Sequence, residues 1–348
     1  MKALFYNSDI HFLKAFAAYL QKKVSDLSVD SFSVAEKAAE CLESGKTFDL
    51  IIAPESFIKS APKSAVCIAT GSKTFIPEAG DKTIFLNIYQ KRDDIVSDLK
   101  RIISLKLGGS AGAALSGSDT KLISVLSPQG GSGKTTAAYL LAVEAAKSGL
   151  KTVFVSLEPF AALDKLCGEC DVTGFSDIAL RLGDDRDTCP IILEKMRRNK
   201  HDINMFPVPD NLADLLSVSG KEFARLVDSL SRLPDVDLIV IDLGFPPSEQ
   251  VAEILKKSHV IVLTVNDSGM GETKLEKLKN DPFLALDSMG AEVITLWNKC
   301  QSERRPVANE VCFPFSEGIA TGASVVQLLN GNGALRQGCR KIIKRATK

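Results

Sequence analysis

The chain reads as α/β, two doubly wound parallel-sheet domains in tandem, on three observations. Short apolar runs of strand length alternate with amphipathic stretches of helical spacing along most of the chain. The alternation is interrupted once, by a small and almost uncharged stretch at 107–120. The length, 348 residues, exceeds that of a typical single domain.

Residues 1–106 form the first domain. Residues 2–6 predict a strand, and Phe12, Phe16, Tyr19 and Leu20 then recur at helical spacing. Residues 27–32 predict a second strand, and 35–43 a helix stopped by Gly45. Three more strands fall at 49–53, 65–69 and 83–88, before a helix with Ile95, Leu99, Ile102 and Ile103 on one face. Five such units imply a doubly wound sheet of flavodoxin type.

The stretch 107–120 has linker composition, GGSAGAALSGSDT, and residues 121–348 restart the pattern. A strand at 122–126, a helix at 135–147 closed by Gly149 and a strand at 152–157 make one βαβ unit. Further buried strands are expected at 238–242, 260–265 and 293–297, with helices of less regular pattern over 160–235.

Composition excludes several classes. With 43 basic and 43 acidic residues, nothing in the net charge favours a polyanion such as nucleic acid as main partner. No apolar run reaches the roughly 18–20 residues that span a bilayer. The first residues lack signal-peptide features, so the eight cysteines read as reduced thiols of a cytoplasmic protein. Cys167 and Cys170 form a lone C-x-x-C without a second pair at zinc spacing, which favours burial over metal or redox chemistry.

The chemistry sits in Ser127-Pro128-Gln129-Gly130-Gly131-Ser132-Gly133-Lys134-Thr135-Thr136, between a strand and a helix. Glycines let the backbone curl so that N–H groups point at phosphate oxygens, and a helix N-terminus adds its dipole. Lys134 would reach the β- and γ-phosphates, Thr135 would ligate Mg²⁺, and Thr136 would bond the α-phosphate. The expected ligand is ATP with Mg²⁺. The run 237–244, DLIVIDLG, is an apolar strand ending in Asp242; in a parallel sheet that end lines the ligand crevice and brings the carboxylate beside the metal.

The GGSGKTT loop, the strand ending at Glu158 and the DLIVIDLG strand resemble the MinD/ParA branch of P-loop ATPases. That family uses K-G-G-x-G-K-[ST]-T, whose first lysine crosses a dimer interface to the partner's nucleotide. Gln129 stands at that position here, so the resemblance implies nucleotide binding with weak or absent hydrolysis. The family's strand ending Asp-x-Asp orders the attacking water; here it reads Ser156-Leu157-Glu158, which gives Glu158 a water- or metal-holding role or that of a strand-end cap. By the same resemblance Lys134, Glu158 and Asp242 are the catalytic candidates. Asn298, in Leu296-Trp297-Asn298-Lys299, resembles the residue that reads the adenine edge, and Pro314, in Phe313-Pro314-Phe315, the loop that walls the base.

Residues 1–104 resemble a two-component receiver domain with its phosphorylation site eroded. Asp9 remains near the first acidic position, but the acceptor position falls on Pro54. A pseudo-receiver, a linker and a deviant ATPase in that order resemble the CpaE/TadZ proteins of the tight-adherence (Flp) pilus system. The resemblance implies an ATP-binding localisation and assembly factor, a homodimer, and pilus or secretion proteins as partners at a cell pole or the inner face of the membrane. A ParA/MinD-type ATPase that positions DNA or the division site is the alternative. The tail 334–348 carries six Lys/Arg and an apolar face of Leu335, Cys339, Ile342, Ile343 and Ala346. Such a helix suits a peripheral membrane contact, but its small face without Trp or Phe favours docking on the sheet.

Overall fold

Strands covered on both faces need unbroken apolar runs, and both sheets are built from them. The structure is a computed structural model. It describes residues 1–24, 27–62, 64–72, 74, 83–107, 120–158, 161, 163–167, 172–184, 187–209, 211–244, 248–300, 304–315 and 325–348. The chain divides into Met1–Gly117 and Ser118–Lys348. Most of the stretch expected to be a linker, 108–119, lies outside the described residues.

The first unit runs β1 (Lys2–Tyr6), α1 (Ile10–Lys23), β2 (Ser28–Phe32), α2 (Ala35–Glu43), β3 (Leu50–Pro54), α3 (Glu55–Ile58), β4 (Val66–Gly71), β5 (Ile84–Asn87) and α4 (Arg92–Leu107). All its pairings are parallel, in the order β2-β1-β3-β4-β5, the flavodoxin-like doubly wound order. Asp9 caps α1: its carboxylate accepts the N–H groups of His11 and Phe12 at 2.9 and 3.0 Å. Pro54 ends β3 opposite Thr70, and α3 starts directly behind it. Leu13, Phe16 and Leu20 of α1 and Ile95, Leu99, Ile102 and Ile103 of α4 bury one face of the sheet.

The second unit runs β6 (Lys121–Leu126), α5 (Lys134–Lys147), β7 (Thr152–Ser156), α6 (Leu163–Cys167), α7 (Phe175–Gly183), α8 (Cys189–Lys195), β8 (Arg197–Arg198), β9 (Asn204–Met205), α9 (Leu212–Ser217), α10 (Gly220–Ser231), β10 (Leu238–Asp242), α11 (Glu249–Lys256), β11 (Val260–Asn266), α12 (Gly269–Lys279), β12 (Glu292–Cys300), β13 (Glu310–Pro314), α13 (Val325–Gly331) and α14 (Gly333–Ala346). The strand order is β13-β12-β11-β6-β10-β7-β9-β8, parallel except for β8 against β9. The strand carrying the phosphate-loop motif, β6, therefore lies inside the sheet between β11 and β10.

Helix α5 is buried nearly all round, from Ala137 to Ala145, because α14 covers the side that faces away from the sheet. Its alanines leave room for that approach, and a helix enclosed in this way needs apolar residues on every side. The tail's apolar face, Leu335, Cys339, Ile342, Ile343 and Ala346, is buried in this core. The surface that a membrane contact through the C-terminal helix would have used is thus spent on packing. Arg340 and Arg345 are tied down as well, to Glu144 and to Glu292.

One expectation changes, and one feature is new. Phe313 and Pro314, read with Phe315 as a loop walling the base, belong to the edge strand β13, with Pro314 opposite Cys300. Proline tolerates that place because an edge strand leaves one row of its backbone groups unpaired. The β8–β9 hairpin was not anticipated; two strands of two residues each give no period to read. Cys167 is buried, its thiol directed to the Leu163 carbonyl, while Cys170 lies outside the described residues. Among the described residues no helix is long and apolar enough to cross a membrane.

Candidate nucleotide-binding site

The loop after β6 is held from both ends. The Ser127 hydroxyl accepts the Gln129 N–H at 3.2 Å and donates to the Gln129 carbonyl at 2.9 Å, which folds the first turn back on the strand. Gly131 and Gly133 then take φ of +66° and +81°, the left-handed region that side chains resist. From the end of β12, Asn298 Nδ2 donates to the Ser132 carbonyl at 2.7 Å, and Lys299 Nζ donates to the Gly131 carbonyl at 3.1 Å. Two loop carbonyls are thereby fixed by donors from a neighbouring strand end.

Helix α5 begins at Lys134, which presents its N-terminal dipole to the loop. The Lys134 side chain is only 8% exposed; its Nζ sits 2.7 Å from Asp242 Oδ1 and 2.9 Å from Glu158 Oε2. The same Glu158 oxygen accepts the Thr135 hydroxyl at 2.6 Å. Asp242 ends β10 and is fully buried, its other oxygen accepting the Ser156 hydroxyl at 3.2 Å. Burial pushes its carboxyl above the usual range, against the pull of Lys134. Burial also acts to raise Glu158, but the Thr135 hydroxyl and the Lys134 ammonium outweigh it and hold that carboxyl below its ordinary value.

A cavity of about 820 Å³ opens over these groups. Residues 129–136 line one side with Glu158, and an apolar wall that includes Leu212, Leu216, Phe223, Val251 and Ile254 lines the other. The volume lies in the range of ligand sites. The donor set suits a metal-bound triphosphate: a glycine-curled loop at a helix N-terminus, one ammonium, and a hydroxyl beside hard carboxylate oxygens. Thr135 and Asp242 are the residues that would hold Mg²⁺. Among the described residues no group of three or more His, Cys, Asp or Glu could hold a metal ion.

The structure thus brings Gln129, Gly130, Gly131, Ser132, Gly133, Lys134, Thr135, Thr136 and Glu158 to one cavity, with Asp242 bonded to Lys134 at its floor. Asn298 touches the loop from behind, where its amide is engaged with Ser132 and its oxygen accepts the Lys299 N–H at 2.9 Å. Pro314 does not line the cavity.

No family profile matches the sequence. A Sinorhizobium fredii protein that carries the name "putative replication protein A" is 33% identical over 141 residues, 36% of this chain. The chain spans about a third of that relative's length, 35%. Solved structures match more of the chain. The septum site-determining protein MinD of Pyrococcus horikoshii, complexed with Mg-ADP, superposes with a TM-score of 0.52 at 19% identity, over 66% of this chain and 96% of its own. A ParA family ATPase from Chlorobium tepidum gives 0.51 at 15% identity, over 63% and 96%. The MinC:MinD cell division complex of Aquifex aeolicus gives 0.52 at 14%, over 65% and 96%.

The chain carries the MinD/ParA fold. At these identities the likeness is one of fold, and the chemistry rests on the residues above. Within the MinD/ParA fold the apolar wall escaped sequence reading because its residues come from three helices. One signal was legible: Leu212, Leu215 and Leu216 at helical spacing, followed by Ser219 and Glu222, which form a capping box at the start of α10.

The closeness of loop and β12 gives a sharp expectation. A Cβ on Gly133 would stand 2.3 Å from Asn298 Nδ2, in a backbone region that costs a side chain about 1–2 kcal/mol. Gly133→Ala should leave the circular dichroism spectrum unchanged and weaken Mg·ATP binding roughly tenfold or more in a calorimetric titration.

Proposed function

We propose that this protein is an ATP-binding localisation and assembly factor of the CpaE/TadZ kind, which binds Mg·ATP through the loop 127–136 and hydrolyses it weakly or not at all. The observation that carries the reading is the Lys134, Thr135, Glu158 and Asp242 constellation on a curled glycine loop, with Gln129 where the MinD/ParA signature has lysine. Phosphoryl transfer draws most of its acceleration from positioned charge. A neutral amide at residue 129 and a single carboxylate after β7 supply less of it.

On this reading nucleotide state selects a conformation or a homodimer that docks pilus or secretion proteins, in the cytoplasm or at the inner face of the membrane. The first unit is a pseudo-receiver that serves protein contacts. Pro54 at the end of β3 has no side-chain oxygen to take a phosphoryl group, and Asp9 is engaged in capping α1.

The competing reading is a ParA/MinD-type cycling ATPase that positions DNA or the division site. The similarity to a protein named for replication, to a ParA family ATPase and to a septum site-determining protein favours it. Turnover separates the two. Wild type should bind Mg·ATP and release phosphate slowly, and Gln129→Lys should raise the rate at least about tenfold, since a cation at a phosphoryl-transfer site is worth more than that. Brisk, partner-stimulated hydrolysis by the wild type would instead establish the cycling ATPase.

A further inference from the structure

Two side chains of the loop have to be recruited by a metal-bound triphosphate: the ammonium of Lys134, for phosphate oxygens, and the hydroxyl of Thr135, for the cation. Both are held by one atom. Glu158 Oε2 lies 2.9 Å from Lys134 Nζ and accepts the Thr135 hydroxyl at 2.6 Å. Asp242 shares the lysine but differs in kind: it is fully buried at a strand end and pinned by Ser156. Glu158 follows β7, lines the cavity and keeps 38% of its side chain exposed, so it has somewhere to go.

We propose that Glu158 is a specificity-determining latch: it occupies Lys134 and Thr135 together and yields to a ligand that brings a terminal phosphate and a divalent cation at once. The proposal rests on the nucleotide-binding reading above. Its physics is charge. A metal-free nucleotide would push its phosphates against the Glu158 carboxylate with nothing to offset the repulsion, in a site where two carboxylates already share one ammonium. A divalent cation alone meets the Thr135 hydroxyl but supplies nothing to replace the glutamate on Lys134. Mg·triphosphate does both: phosphate oxygens take over the ammonium, and the cation screens the displaced carboxylate. Metal-free or truncated nucleotides are thus refused by the resting contacts of the site.

The test is a calorimetric comparison of full-length wild type, Glu158→Gln and Glu158→Ala, each titrated with Mg·ATP, with Mg·ADP and with ATP in excess EDTA. Thermal melts serve as the check on folding. Wild type should prefer Mg·ATP over metal-free ATP by about a hundredfold or more, and the Glu158 variants should tighten metal-free ATP and Mg·ADP at least about tenfold, so that the preference shrinks. Glu158→Gln separates charge from bulk, because it keeps the length of the side chain. An unchanged preference, or variants that bind Mg·ATP more weakly, would overturn the latch and make Glu158 a supporting ligand, with nucleotide binding intact. If wild type binds nothing while the variants bind Mg·ATP, Glu158 blocks the site without yielding, which overturns its role in specificity. If folded wild type and both variants bind no nucleotide in any form, the nucleotide reading itself falls and takes the latch with it.

Discussion

Lys134→Ala should abolish the heat of Mg·ATP binding. The ammonium is bonded to both carboxylates of the site, 2.7 Å from Asp242 and 2.9 Å from Glu158, so its loss removes a cation that can turn to phosphate. Losing a buried charged partner costs about 2–5 kcal/mol, on the order of a 30- to 4,000-fold change in affinity. The same substitution leaves Asp242 fully buried without its counter-charge. Burial already raises that carboxyl, and without Lys134 it rises further, so the side chain takes up a proton rather than stay charged. The sign of the pH effect follows. A carboxyl whose folded pKa lies above its unfolded one binds more protons when folded, so its contribution is fully present at low pH and is lost as pH rises through the folded value. Melting profiles of Lys134→Ala should therefore gain on the wild type as pH is lowered from neutrality. A variant that binds Mg·ATP normally would remove the loop from the mechanism.

The second large effect is expected far from the cavity, in the seam between α5 and the last helix. Glu144 is 1% exposed on α5, with Oε1 bonded to Arg340 Nε at 2.6 Å and Oε2 accepting no bond among the described residues. Removal of one partner from a buried pair costs about 3–5 kcal/mol; with the arginine 62% exposed to water, we expect about 2–3 kcal/mol for Arg340→Ala. In a unit of this size that corresponds to a drop of several degrees in melting temperature. Glu144→Gln in the same background should recover much of the loss, because a neutral amide leaves no bare charge in the core; a double-mutant cycle measures the coupling. Equal stability of Arg340→Ala and wild type would mean that the Glu144–Arg340 pair does not hold the seam together.

The site was legible in the sequence where its residues are neighbours along the chain, and illegible where they meet through the fold. Residues 127–136 announce a phosphate loop because glycines, lysine and threonines must stand at fixed spacing to do that work. Asp242 was expected at the crevice because an apolar strand ending in an acid points its last side chain there. The bond from Asn298 to the Ser132 carbonyl joins residues 166 apart in sequence, and only the register of β12 beside β11 brings them together. Glu158 was placed near the metal, yet its simultaneous hold on Lys134 and Thr135 depends on the reach of one extra methylene, which no spacing rule conveys. The sheets were read well where strands are buried and apolar, as in β10 and β11. Reading was weakest over 160–235, where short helices and the two-residue strands β8 and β9 carry too few turns or pleats for a period to emerge.

That hairpin has a consequence for how copies of the molecule can meet. The larger sheet finishes on one side in Arg197–Arg198, a pair of exposed cationic residues running against the direction of every other strand. So brief and so charged a margin offers a foreign strand almost no ladder to extend and repels another like itself. Stacking of the sheets side by side into fibres is discouraged on that flank.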